Sequence, residues 1–69
     1  MDTLTMIGQM SQTKERKIAQ STDGRLVKKD DIGNLIYCNL IGEIDKNKGH
    51  EGWVWLSESF LRQQWNFIN

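Results

Sequence analysis

Four kinds of residue in this chain have the chemistry to do something other than fold, and the first is His50 beside Glu51. An imidazole titrates near neutral pH, so a carboxylate next to it is an acid/base pair on paper. Adjacent residues in extended chain point apart, however, and the sequence supplies no second histidine, no activated serine motif and no carboxylate pair at a workable spacing. A solvated loop is the expectation. Cys38 is the second kind. It stands between Ile36 and Leu40, where a thiol acts as a small apolar side chain rather than a nucleophile. With one Cys and one His the chain cannot close a disulfide or complete a four-ligand zinc site by itself. Gly49-His50-Glu51-Gly52 lacks both the Lys-Ser/Thr of a phosphate loop and the three-glycine spacing of a dinucleotide site. No catalytic residue, metal site or cofactor is therefore expected, and the chain is read as non-enzymatic.

The third kind is a basic group, Lys14, Arg16, Lys17, Arg25, Lys28 and Lys29, placed on a hairpin that could meet phosphates. Glu15, Asp23, Asp30 and Asp31 are interspersed, and between Ser11 and Asp31 there is no aromatic to stack on a base. A solvated face is the preferred reading, and a nucleic-acid-binding barrel is the alternative. The fourth kind is aromatic: Tyr37, Trp53, Trp55, Trp65 and Phe67. Either these rings form the core of a small domain, or some remain exposed as anchors for a protein partner, since Trp and Tyr dominate interface hot spots.

The elements that must carry these residues are constrained by size and charge. The chain has 69 residues, nine Lys+Arg against nine Asp+Glu, and no proline; Leu, Ile, Val and Phe make up about a quarter of it. That balance excludes a disordered acidic or basic tail and allows one domain. An acidic residue at position 2 does not suit a signal peptide, and no apolar run approaches the ~20 residues of a membrane span. A cytoplasmic protein without membrane contact is expected, encoded as a complete small reading frame of the kind common in phage and mobile elements.

Thr3 to Met10 alternates in polarity and predicts a short strand. Asp23-Gly24, between Lys17–Gln20 and Arg25–Lys28, predicts a polar hairpin. Leu35 to Ile44 reads as the longest strand, bent at Gly42, and the Asp45–Gly52 loop returns the chain into Trp53–Leu56 as its antiparallel neighbour. Ser57 caps a predicted helix of two to three turns through Phe60, Leu61, Gln64, Trp65 and Ile68. No internal repeat is evident. Gly24-Arg25-Leu26-Val27-Lys28, Gly42-Glu43-Ile44 and Gly52-Trp53-Val54 are spaced in a way that resembles SH3-like and KOW-type barrels, whose corners are marked by glycines. The resemblance implies a mostly β fold, a small barrel of about five antiparallel strands with a short C-terminal helix. A small α+β open sheet with one packed helix is the alternative. The expected core is Ile36, Cys38, Leu40, Ile44, Val54 and Leu56 with at least one Trp.

The functional expectation is a protein-interaction module, an adaptor, regulator or inhibitor, that binds another protein through aromatics and associates as a homodimer. Trp65, Phe67 and Ile68 must dock on the sheet or on a partner, because three large apolar groups in four residues are costly to leave in water.

Overall fold

The computed structural model describes residues 1–12 and 17–68. The chain is α+β: helix α1 (Thr3–Gln12), strands β1 (Ala19–Ser21), β2 (Leu26–Lys29) and β3 (Leu35–Tyr37), helix α2 (Glu58–Leu61) and strand β4 (Trp65–Phe67). The strands form one antiparallel sheet in the order β3-β2-β1-β4. The sheet is open, with β4 at one edge and β3 at the other. The alternative open-sheet expectation therefore fits, with two helices instead of one, and the strands do not close into a barrel.

The strand expected at Thr3 to Met10 is helix α1. Its N-cap is Asp2, whose carboxylate accepts a hydrogen bond from the Thr5 backbone N–H at 2.8 Å. Thr3, Met6 and Met10 recur at helical spacing and are the buried face, while Leu4 is left outside. The same Met residues satisfy a period of two, so alternation alone misled; the cap decides the period.

The expected hairpin is present as β1 and β2, with Ala19 opposite Val27 and Gly24 at φ +90° in the connection. The long strand is shorter than expected. β3 ends at Tyr37, Asn39 to Gly42 form a turn, and the second half of the segment returns so that Ile44 bridges Cys38. Trp53 then pairs with Ile36 as expected, fixed by bonds from the Tyr37 N–H to the Gly52 carbonyl (2.7 Å) and from the Val54 N–H to the Leu35 carbonyl (3.2 Å). The C-terminal helix is also corrected. Ser57 caps it by accepting from the Phe60 N–H, but it lasts only Glu58–Leu61, and Trp65 to Phe67 pair with β1 instead. Trp65 and Phe67 follow a period of two, and strand pairing places both on the core side of the sheet.

Both helices pack on one face of the sheet, where Met6, Met10, Ala19, Val27, Tyr37, Phe60 and Trp65 form the core. Phe60 and Trp65 are completely buried, with ring centroids 5.0 Å apart, and such burial is worth about 1.5–3 kcal/mol for a large apolar side chain. Of the expected core residues, Ile36 and Cys38 are buried and Val54 partly so, and Trp65 is the buried Trp. Leu40, Ile44 and Leu56 are exposed: Leu40 stands in the turn, Ile44 is held by a single bridge at the margin of the sheet, and Leu56 lies past the paired residues.

Candidate functional site: an apolar strip opposite the helices

Strand parity divides the aromatic residues into two sets. Val27 faces Tyr37 across the ladder, and with Trp65 and Phe67 these lie on the helix-covered side. Tyr37 is 8% exposed and meets Phe60 edge-on with centroids 6.3 Å apart; Trp65 is wholly buried; Phe67 is half-buried with the Lys17 ammonium 5.6 Å over its ring. These three are core and its margin. Lys28, Ile36 and Trp53 form the adjacent cross-strand row and therefore point to the other side of the sheet. Trp53 is 51% exposed there, and Trp55, two residues on, is 76% exposed.

Three further residues join the two Trp, and two of the three, Leu40 and Ile44, were expected in the core. The turn at Asn39–Gly42 folds back over this second face, so that Gly42 lies beside Ile18 and the Lys28 ammonium. Ile18, Ile36 and Cys38 are thereby buried, and burial pushes the Cys38 thiol pKa up, against the opposing pull of Lys28, so that it stays protonated and inert. Leu40, Ile41 and Ile44 of this segment are exposed by 66%, 79% and 48%, and the bridge to Cys38 sets Ile44 on the same sheet face as Ile36 and Trp53. Ile44 reaches Gly52, the neighbour of Trp53. An apolar strip thus runs from the Leu40–Ile41 tip past Ile44 and Trp53 to Trp55. Beside its tip a groove of about 270 Å³ is lined by Leu26, Cys38, Leu40, Asp45 and Lys48 among others.

A repeated turn identifies what is unusual about the tip. Ser21–Arg25, Asp30–Asn34 and Asn39–Glu43 have the same construction: the first residue's N–H donates to the fifth carbonyl at 2.9 Å, the fourth residue is a glycine at φ +86° to +90° whose N–H donates to the first carbonyl, and the first side chain accepts from the fifth N–H. These are three-residue hairpin loops with a left-handed glycine. Gly24, Gly33 and Gly42 are spaced nine apart, a recurrence present in the sequence itself. Asp23 and Asp30 are held below the usual carboxylate range within two of these turns. For Asp23 the main cause is the Ser21 hydroxyl; for Asp30 the upward pull of burial is outweighed by hydrogen bonds, foremost from the Asn34 backbone N–H. The two residues at the turn tip are Thr22-Asp23, Asp31-Ile32 and Leu40-Ile41. The geometry is the same in all three, so it does not call for two large apolar residues in the third.

His50 and Glu51 are exposed in a two-residue turn whose ends, His50 and Trp53, exchange both backbone hydrogen bonds at 3.0 Å. Glu51 and Gly52 both have positive φ, the type I′ signature. Among the described residues no three His, Cys, Asp or Glu side chains converge to hold a metal ion, and no helix is long and apolar enough to cross a membrane.

The described basic residues, Lys17, Arg25, Lys28 and Lys29, are not gathered on one surface. Lys14 and Arg16 lie outside the described residues. Lys28 and Lys29 point to opposite faces of β2. Arg25 pairs with Asp23 at 2.9 Å and lies over the Phe60 ring, Lys17 covers Phe67, and Lys29 donates to the Ser11 hydroxyl.

No family model, no curated protein and no solved structure compared with the chain gives a match.

Proposed function

We propose that this chain is a small protein-interaction module, acting as an adaptor, regulator or inhibitor, whose binding surface is the strip Leu40, Ile41, Ile44, Trp53 and Trp55. The observation that carries this reading is the exposed Leu40–Ile41 tip, where two other copies of the same turn carry polar or mixed residues. Apolar side chains that serve neither the core nor the turn are what a docking surface requires.

The mode of recognition follows from the sheet edges. At β4 the outward N–H and C=O of Trp65 are bonded to Met1, at 2.8 and 3.0 Å. At the other edge the outward groups of Trp53 are taken by His50. The chain itself thus takes up the outward groups of Trp65 and of Trp53, which narrows both edges to strand addition and favours a partner met by side chains.

The test is retention of cellular proteins on the immobilised chain and on a Trp53→Ser, Trp55→Ser variant of unchanged melting temperature. A partner held by the first and released from the second is the expected result. The same set of proteins on both would remove the strip as the binding surface.

A further inference from the structure

We infer that the occupant of the strip is a second copy of this chain, packed about a two-fold axis near Ile44 and Trp53; the inference rests on the interaction-surface reading above. Three observations carry it. The first is area. At the exposures given, the five side chains leave roughly 600 Å² of apolar surface in water, at the upper end of what a monomer carries as its largest patch and most of the ~800 Å² that one partner brings to a standard interface.

The second is charge. The formal net charge is zero, so two copies approach without mutual repulsion. The strip is flanked by both signs, Glu43 and Glu51 with Lys46 and Lys48, all exposed. A two-fold operator sets a patch against itself, which only a rim of mixed sign tolerates on both sides. A partner of strong single-sign charge would find no complement there.

The third is size. A domain of about 60 residues buries only about 60% of the surface its unfolded chain exposes, and below about 70–80 residues, where this chain of 69 falls, association is one common source of the missing burial. Here the Asn39–Gly42 turn lies over the second sheet face while Leu40, Ile41, Ile44 and Trp53 on and beside it stay exposed.

The experiment is sedimentation equilibrium of the full chain from about 5 to about 500 μM, with Ile41→Lys and Trp55→Lys as disrupting variants and Leu4→Lys as control. Ile41, Trp55 and Leu4 are all more than two-thirds exposed, so each variant should keep the far-UV spectrum of the parent. If one fails to fold, the other carries the test. The expected result is a dimer whose dissociation constant rises roughly tenfold or more in the two strip variants and is unchanged by Leu4→Lys on α1. A chain that stays monomeric throughout overturns the second-copy assignment, as does a dimer that survives both strip substitutions. The two readings fail separately: a monomer that retains another protein through Trp53 and Trp55 loses the dimer and keeps the interaction surface, whereas a monomer with no Trp-dependent retention loses both.

Discussion

Thr3 is the buried polar residue on which the two helices and the last strand converge. Its hydroxyl donates to the Phe60 carbonyl at 3.0 Å and accepts from the Trp65 indole N–H at 2.8 Å, which satisfies the last turn of α2 and the largest core side chain with one oxygen. Replacing it by valine keeps the volume and strands both partners in a site that water does not reach. Thr3→Val should cost about 1–3 kcal/mol, lowering the melting temperature by several degrees in a domain of this size. Thr3→Ser, which keeps the hydroxyl, should recover most of the loss. Equal destabilisation by both would assign the effect to the methyl group and not to the hydrogen bonds. None of this was legible from Thr3 itself, which in the sequence is one polar position in an apparent alternation. The Asp2 cap carried the usable signal. Trp65 presents the same difficulty in reverse: its type and place near the chain end suit an anchor as well as a core residue, and only its hydrogen bond to Thr3 and its packing on Phe60 decide for the core.

At the scale of elements, turn chemistry set the fold more than apolar periodicity did. The segment from Leu35 to Ile44 is apolar enough to read as one strand, yet Asn39 and Gly42 have the same spacing as Ser21 and Gly24 or Asp30 and Gly33, and each set reverses the chain. Seen at the nine-residue period, Leu40 and Ile41 are tip residues and could not have been core. Hydropathy extends the strand too far because it does not distinguish a buried apolar residue from an exposed one. The glycines also separate two kinds of constraint. Gly33 sits at φ +90° with no atom within 4 Å of an added Cβ. Gly33→Ala should therefore cost only the left-handed conformation, about 1–2 kcal/mol. Gly49 has φ +59°, and a Cβ there collides with the Trp53 carbonyl oxygen and comes within 2.7 Å of the Tyr37 ring. Gly49→Ala must displace backbone against the core and should exceed the Gly33→Ala loss by at least about 1 kcal/mol. Denaturant melts of the two variants check the order, and a reversed order would mean that the 45–52 loop does not pack on Tyr37.

At the scale of the whole molecule, one sheet face is packed by helices and the other is partly covered by a turn with an exposed apolar tip, and this asymmetry makes a prediction about amide exchange. Ala19 and Val27 are fully buried and paired with each other in the middle of the sheet, so their amides should open only on global unfolding and exchange slowest. The turn amides of Ile41, Gly42 and Glu43 are bonded within a loop whose side chains are largely in water, at 3.1, 3.0 and 2.9 Å. Opening that turn leaves the central ladder and the helix-side core intact, so these amides should exchange well before those of β1 and β2. The contrast should also depend on concentration. If a second copy covers the strip, protection at residues 41–43 rises with protein concentration while that of Ala19 tracks global stability alone, because opening the turn in the dimer must first break the interface. Exchange measured at two concentrations on either side of the dimer midpoint separates these effects. Protection at 41–43 that matches β1 and β2 at every concentration would show the turn to be part of the cooperative core, and the exposed strip would then owe its apolar residues to folding rather than to recognition.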